Sequence, residues 1–194
     1  MIITVYNFKG GVGKTSISIN LCLSLGWGII TNDFYSPLED VLRVDQYLKV
    51  DPNEDINKYA GTENIIYDFG GQIDVRIVPI LLQSDLIIVP VMCNAIDLKV
   101  TIGAIEALEG LNKKIIIIAN RTEKDEFAKI KDYIRQKFQY PIFELKKSKA
   151  FADMFNEKKS LSSLVAEGGL RKYTYSSVTT QFQKILDYIQ NTPS

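Results

Sequence analysis

Short, uninterrupted runs of apolar residues recur along this chain and are separated by longer segments with helical periodicity. Leu86–Val89 and Ile115–Ile118 are entirely apolar, whereas a strand with one solvent-facing side would alternate. Continuous runs are typical of strands that are buried on both faces of a parallel sheet. We therefore predict six strands, at Ile2–Tyr6, Gly28–Asn32, Asn64–Phe69, Asp85–Val91, Lys114–Asn120 and Tyr140–Glu144.

The segments between these runs predict helices at Thr15–Leu25, Val75–Leu82, Leu98–Leu111, Glu123–Phe138, Ser148–Asn156 and Tyr175–Gln190. The alternation of strands and helices predicts an α/β fold, a doubly wound and mostly parallel sheet flanked by helices, in which ligands bind beyond the carboxyl ends of the strands. The segment 34–62 has scattered acids and two prolines, and we expect short helices and loops there. At 194 residues the chain is expected to form one domain, without a separate N-terminal DNA-binding domain.

Composition excludes several kinds of site. The chain has no histidine, which excludes a Ser-His-Asp triad, a histidine zinc site and a histidine general base. Cys22 and Cys93 lack C-x-x-C spacing, so we expect reduced core cysteines and neither a zinc ribbon nor a disulfide framework. No window approaches the roughly 18 apolar residues of a membrane span, and the N-terminus lacks the features of a signal peptide. The expected location is therefore cytoplasmic.

Charge is distributed unevenly, although the formal net charge is zero. Residues 1–110 contain 7 basic and 14 acidic residues, whereas residues 111–194 contain 16 basic and 9 acidic ones. A basic carboxy-terminal half is compatible with binding to a polyanion, and equally compatible with helices whose solvated faces are rich in lysine.

The most informative motif lies between the first predicted strand and the first predicted helix. Glycines there let backbone N–H groups turn inward around phosphate oxygens, and the helix start adds free donors and a favourable dipole. Lys14 would bridge the β- and γ-phosphates, and the Thr15 hydroxyl would coordinate Mg²⁺. The predicted nucleotide-binding residues of this loop are Lys9, Gly10, Gly11, Val12, Gly13, Lys14, Thr15 and Ser16.

The strict pattern G-x-x-x-x-G-K-[ST] is not met, because Phe8 occupies its first position. The loop matches the variant K-G-G-x-G-K-[ST] instead, and with it the chain resembles the ParA/MinD group of P-loop ATPases from end to end. The resemblance implies ATP and Mg²⁺ as ligands, slow hydrolysis of ATP and a homodimer that sandwiches the nucleotide. It also implies that Lys9 acts in trans on the phosphates of the other subunit, so that Lys9 and Lys14 are candidate catalytic residues.

Two acidic residues stand where the family pattern expects them. Asp68 ends an apolar strand, precedes a segment that resembles the glycine-containing switch (Phe69-Gly70-Gly71), and would hold a water in the Mg²⁺ shell. Asp33 follows the second predicted strand, where relatives carry D-x-D-P-Q; here Thr31 replaces the first aspartate. The resemblance implies that Asp33 contributes to the metal site and orients the attacking water, although a capping or turn role remains open.

The later strands extend the resemblance. Ser84–Val91 is similar to the family segment S-D-L-V-I-I-P-V, and a dimer-facing helix is expected from about Asp97. Asn120 and Arg121 close the next strand, where relatives contact the adenine. An amide can bond a purine edge and a guanidinium can stack on the ring, so both are candidate nucleotide-binding residues.

The resemblance to ParA proteins also implies partners: nonspecific DNA, bound by the ATP-loaded dimer at the nucleoid, and a centromere-binding ParB-type protein that stimulates hydrolysis. Backbone phosphates would be met by basic side chains, without base recognition. The candidate DNA contacts are Lys146, Lys147, Lys149, Lys158, Lys159, Arg171 and Lys172.

Three alternatives remain open from the sequence. A MinD-like membrane cycle would need a basic amphipathic C-terminal helix, but the apolar stripe of the last predicted helix is accompanied by only one basic residue, Lys184, and no membrane partner is expected. A small-molecule kinase or ligase of the dethiobiotin synthetase type would place substrate beside the γ-phosphate, and Lys9 argues against it. A redox carrier similar to the nitrogenase iron protein would need a second suitably placed cysteine beside Cys93.

Overall fold

A computed structural model describes residues 1–51, 54–70, 76–111 and 113–193. Its centre is a sheet in which every described strand pairing is parallel, with the strand order β3-β2-β4-β1-β5-β6-β7. The strands are β1 Ile2–Asn7, β2 Gly28–Thr31, β3 Tyr47–Lys49, β4 Ile65–Gly70, β5 Leu86–Val91, β6 Ile115–Thr122 and β7 Ile142–Lys146. The doubly wound, mostly parallel sheet predicted from the sequence is therefore confirmed.

Helices cover both faces of this sheet. The α-helices of the described residues are α1 Lys14–Leu25, α2 Leu38–Val41, α3 Val78–Gln83, α4 Ala95–Glu109, α5 Glu126–Arg135, α6 Ala150–Glu157, α7 Leu161–Ala166, α8 Gly169–Thr174 and α9 Ser176–Gln190, and a 3₁₀ turn spans Ile56–Tyr59. Within those residues, no helix is both long and apolar enough to cross a bilayer.

Two apolar cores lie on opposite faces of the sheet. Along β6, Ile116 and Ile118 pack into one core, and Ile115 and Ile117 into the other. Successive side chains of a strand point to opposite faces, so a strand buried on both sides must be apolar at every position. This explains the continuous runs in the sequence.

The direction in which the chain winds reverses at β1. Helices α1 and α2 pack on one face as the chain moves to β2 and β3, whereas α3, α4 and α5 pack on the other face as it moves from β4 to β7. These two faces follow from right-handed crossovers in opposite directions. The loops that follow β1 and its neighbours thus meet at the carboxyl edge of the sheet, where open α/β sheets bind ligands.

Six strands were predicted and the described structure has a seventh, β3, within the segment expected to hold short helices and loops. Its three residues are half-buried and pair only with β2, so neither a long apolar run nor an alternation marks them. Strand β7 begins two residues later than predicted.

Helix boundaries shift by a few residues. Helix α3 begins at Val78, with a proline in its first turn, while the predicted start at Val75 lies outside the described residues. Helix α5 is shorter than predicted at both ends, and the short helices α7 and α8 were not predicted. The expectation of two core cysteines holds for Cys22, which is buried, but Cys93 is only partly buried; both are free thiols.

Candidate functional site

The phosphate loop lies between β1 and α1, as predicted. Gly11 and Gly13 have positive φ angles of 80° and 93°, which L side chains rarely adopt. A Cβ atom on Gly13 would also lie 2.1 Å from Asn120 Nδ2. The left-handed backbone and the close approach both require glycine at position 13.

Asn120 supports this loop from behind. Its Nδ2 donates to the Val12 carbonyl over 2.8 Å, its Oδ1 accepts from the Arg121 N–H at 3.0 Å, and only 3% of the residue is exposed. Asn120 is not one of the described residues that line the nucleotide cavity. The geometry therefore favours loop support over the adenine contact predicted for this residue.

Lys14 is directed along the inner side of the loop. Its Nζ donates to the Lys9 carbonyl over 3.0 Å, and Gly70 of β4 lies so close that a Cβ there would be 3.6 Å from that nitrogen. Burial lowers the pKa of Lys14, and the carboxylates of Asp68 and Asp33 oppose that shift. The Lys14 ammonium therefore lies beside the groups that would surround a bound phosphate.

Asp68 is a buried carboxylate at the carboxyl end of β4. It is 3% exposed, and within the described part of the chain neither oxygen has a hydrogen-bond partner of ordinary geometry. Burial raises the pKa of Asp68 to about 6, against the opposing effects of the nearby Thr15 hydroxyl and Lys14 ammonium. Unpartnered buried oxygens beside a hydroxyl fit a hard cation that takes oxygen ligands, so Asp68 and Thr15 fit the predicted Mg²⁺ site.

Thr31 stands in place of the first aspartate of the family segment, and its hydroxyl connects β4 to the loop that follows β2. Thr31 Oγ1 donates to the Asp68 carbonyl over 2.8 Å and accepts from the Asp33 N–H at 3.0 Å, while Thr31 is fully buried. Beside it, Asn32 Oδ1 accepts from Gly70 N–H at 3.2 Å. Neither role is visible in the sequence, because each depends on a contact between strands far apart in the chain.

Asp33 lies on the wall of the same cavity. Its Oδ1 accepts from the Tyr35 N–H at 3.1 Å in a local turn, and no hydrogen bond to Oδ2 is found among the described residues. The capping or turn role and the predicted water-orienting role are thus compatible, because each uses a different oxygen of one carboxylate.

These elements enclose a cavity of about 590 Å³ at the carboxyl edge of the sheet. Its lining includes most of the predicted nucleotide and metal residues, namely Gly10, Gly11, Gly13, Lys14, Thr15, Ser16, Asp33, Asp68 and Arg121. Asn32 and Gly70, which were not predicted, line it too. Val12 is fully buried and does not line the cavity.

A second cavity, of about 310 Å³, adjoins the first and shares Ser16 and Arg121 with it. Arg121 has a φ of 53°, an uncommon backbone conformation for a residue other than glycine. Phe151, Ala152 and Phe155 of α6 are the apolar residues of its described lining. The two phenylalanines were not predicted as site residues; their spacing of four on a helix was visible in the sequence, but only the fold brings α6 beside the loop.

Lys9 is placed differently from the rest of the motif. Its Nζ lies 3.8 Å from Asp97 Oδ1 and donates to the Gly10 carbonyl over 3.2 Å. Its side chain is 38% exposed, and Lys9 is absent from the described lining of the nucleotide cavity. The predicted helix near Asp97 is α4, which begins at Ala95.

The seven candidate DNA-contacting side chains differ in whether a carboxylate already pairs with them. Lys147 pairs with Glu123 at 2.6 Å, Lys159 pairs with Glu167, and Arg171 Nη1 bonds Glu167 at 2.9 Å. Carboxylates already pair with these three cations, which makes them less available to phosphates; contact of all seven with DNA stays a prediction. Of these seven side chains, the exposed cations that form no ion pair with another described residue are Lys146, Lys149, Lys158 and Lys172.

The apolar stripe of the last helix is covered by the protein itself. Val178, Phe182, Ile185, Leu186 and Ile189 of α9 are all buried in the same core as α1. A helix in this state has no apolar face to place in a membrane surface.

The chain matches no protein-family model and no curated protein. Solved structures are similar to it. Apo McdA of Cyanothece has a TM-score of 0.64 at 14% identity, covering 93% of this chain and 98% of that one. A plasmid partition protein of Borrelia burgdorferi, bound to AMPPNP, has a TM-score of 0.63 at 16% identity and covers 96% and 98%.

MinD of Pyrococcus horikoshii, in complex with Mg-ADP, has a TM-score of 0.62 at 15% identity and covers 95% of this chain and 96% of that one. At such identities the likeness shows the fold alone. At that level it confirms the resemblance predicted from the loop, the strand ends and the segment Ser84–Val91: the chain has the fold of the ParA/MinD group of P-loop ATPases.

Proposed function

We propose that this chain is a ParA-type ATPase, which binds ATP with Mg²⁺, dimerises over the nucleotide and takes part in the partition of DNA. The observation that carries the proposal is a phosphate loop already shaped for its ligand beside Asp68, a buried carboxylate whose oxygens have no hydrogen-bond partner of ordinary geometry among the described residues. Structures of the same fold bound to AMPPNP and Mg-ADP support it. The chain acts as one ATPase domain in the cytoplasm.

In this proposal, each part of the nucleotide is bound by its own residues. Backbone N–H groups of residues 10–15 donate hydrogen bonds to the phosphate oxygens, and the Lys14 ammonium neutralises their charge. Thr15 and Asp68 hold Mg²⁺, directly or through water. Arg121, Phe151 and Phe155 form the floor of the adjoining cavity, which suits a flat, partly apolar base.

Hydrolysis uses charges that are in place before the reaction. Bound Mg²⁺ supplies positive charge at the phosphate oxygens. Asp33 orients the attacking water, and its loop is held to β4 through Thr31. Lys9 of one subunit acts on the phosphates of the other, like an arginine finger in trans. Its position outside its own cavity supports this division of labour.

ATP-loaded dimers bind DNA nonspecifically and associate with the nucleoid, and a ParB-type partner stimulates hydrolysis and release. Lys146, Lys149, Lys158 and Lys172 are the exposed cations best suited to phosphates, because carboxylates do not neutralise them in the described structure. Burial of the apolar stripe of α9 favours this partner over a membrane.

Two alanine variants test the ATPase and its dimer. Lys14→Ala should lose ATP binding, whereas Lys9→Ala should bind ATP nearly normally as a monomer yet lose self-association and turnover. Binding is measured by titration calorimetry, self-association by sedimentation velocity and turnover by phosphate release. Full turnover by Lys9→Ala would contradict the proposal and favour a small-molecule kinase or ligase.

A second pair of variants tests DNA binding. Each lost phosphate contact should lower the slope of log affinity against log salt concentration by about 0.9. Lys149→Ala should therefore weaken ATP-dependent retention of duplex DNA and flatten its salt dependence. The matched control Lys159→Ala removes a cation already paired with Glu157 and Glu167, and should change retention little. Retention that needs no ATP, or that Lys159→Ala alone weakens, would contradict the assignment.

A further inference from the structure

Lys9 has two kinds of attachment to its own subunit, one through the backbone and one through the side chain. Its backbone N–H donates to Asn7 Oδ1 over 2.9 Å, and Asn7 is fully buried. The Asn7 amide in turn donates to the Pro90 carbonyl at 2.7 Å and to Thr101 Oγ1 at 2.9 Å. Through Asn7, the Lys9 backbone is thus fixed to β5 and α4. Only the Lys9 side chain is free to change direction.

The side chain of Lys9 is directed at the first turn of α4. Its ammonium lies 3.8 Å from Asp97 Oδ1, and the Asp97 side chain is 9% exposed. The other oxygen, Asp97 Oδ2, accepts from Asn94 Nδ2 at 2.6 Å, and Asn94 Oδ1 caps the helix by accepting from the Asp97 N–H at 2.9 Å. Asn94 therefore holds this carboxylate in one orientation, with one oxygen left for Lys9.

We propose that Asp97 is a positioning residue that holds the Lys9 ammonium in cis, over its own subunit, until a second subunit offers phosphates in its place. This inference rests on the proposed function, because it presumes that Lys9 acts in trans. Lys9 cannot bond Asp97 and reach a second subunit at once, so the two positions compete.

The contact is suited to reversible release. When Lys9 leaves, the Asp97 carboxylate keeps its hydrogen bond to Asn94 and stands in the first turn of a helix, where negative charge is favourable. The partly exposed Lys9 ammonium meets water on its way out. Partly exposed ion pairs are weak, so the hold shifts the equilibrium without blocking it.

Asp97→Asn tests the inference, because it removes the charge and keeps the shape and the bond to Asn94. ATP-dependent self-association, measured by sedimentation velocity with AMPPNP and Mg²⁺, should tighten about 2- to 30-fold, because one weak ion pair is worth about 1.4- to 5-fold and each dimer releases two of them. The matched control is Glu106→Gln, which removes one acidic charge on the outer side of the same helix, where Glu106 pairs with Lys137 at 2.7 Å. It should leave self-association unchanged.

A double-mutant cycle on the nucleotide-free monomer separates this role from a structural one, and it needs no dimer. If Asp97 acts through Lys9, then Asp97→Asn should lower the urea midpoint of unfolding more in the wild type than in a Lys9→Ala background; an equal effect in both backgrounds would overturn the inference. If Lys9→Ala weakens self-association while Asp97→Asn leaves it unchanged or weakens it, the inference is overturned and the proposed function stays intact. A wild-type chain that stays monomeric with AMPPNP would overturn both.

A second measurement detects the contact without a dimer. In the nucleotide-free protein, the Lys9 amine should react with an acylating reagent two to five times faster in Asp97→Asn than in the wild type, with the modified peptide followed by mass spectrometry. Lys49, held by Glu39 at 2.5 Å, serves as the internal reference. Equal rates for Lys9 in the two proteins would show that Asp97 does not hold it.

Discussion

Replacement of Asn120 by alanine should weaken the binding of every nucleotide alike. The change removes the 2.8 Å hydrogen bond to the Val12 carbonyl and the acceptor of the Arg121 N–H, both close to the buried side of the loop. A buried polar group left without its partner costs about 1–3 kcal/mol. The empty loop must recover its shape before it binds, so affinity should fall about 5- to 140-fold, at 1.4 kcal/mol for each factor of ten.

Titration calorimetry with ATP, GTP and inorganic tripolyphosphate checks this reasoning. Loop support predicts the same fold-loss for all three ligands, because each uses the phosphate loop. A contact between Asn120 and adenine predicts a loss for ATP alone, and that result would refute the interpretation. Asn191→Ala is the matched control: it removes a 2.7 Å amide-to-carbonyl bond, to Asp187 at an exposed helix end, and should leave affinity unchanged.

Two further predictions concern the acidic loops. Burial raises the pKa of Asp68 from 3.8 to about 6, so this carboxyl binds its proton more tightly in the folded chain. Protonated Asp68 therefore adds about 3 kcal/mol to the free energy of unfolding at low pH, and this contribution is lost as the pH rises through 6. Asp68→Asn should therefore stabilise the nucleotide-free protein above pH 6 in urea titrations, and abolish the Mg²⁺ dependence of ATP binding; in the wild type, Mg-ATP binding should weaken as the pH falls through about 6. Thr31→Val should destabilise the fold by about 1–3 kcal/mol, because the Asp68 carbonyl and the Asp33 N–H lose a buried partner. Phosphate-release assays should show a larger fall in turnover than in ATP affinity.

The outcomes that would contradict these two predictions are distinct. An Asp68→Asn protein with the pH-stability profile of the wild type would show that this carboxyl does not titrate as burial requires. A Thr31→Val protein with unchanged turnover would show that the loop of Asp33 does not depend on the bridge to β4.

The sequence alone determined most of the fold, for a physical reason that acts locally. A strand buried on both faces must be apolar throughout, so the central strands were visible as runs, and β3 was not, because a three-residue edge strand is buried only in part. The phosphate loop was equally visible, since its glycines and lysine are consecutive and its chemistry depends on the local backbone.

Only the tertiary structure decided how residues far apart in the sequence share the site. It placed Asn120 against Gly13, connected Thr31 to Asp68, brought Phe151 and Phe155 beside the loop, and paired several basic side chains with carboxylates. It also directed Lys9 to Asp97 rather than into its own cavity. A hydrogen bond or ion pair needs two groups within a few ångströms of each other, and that separation is set by the packing of helices on the sheet, which no local pattern records.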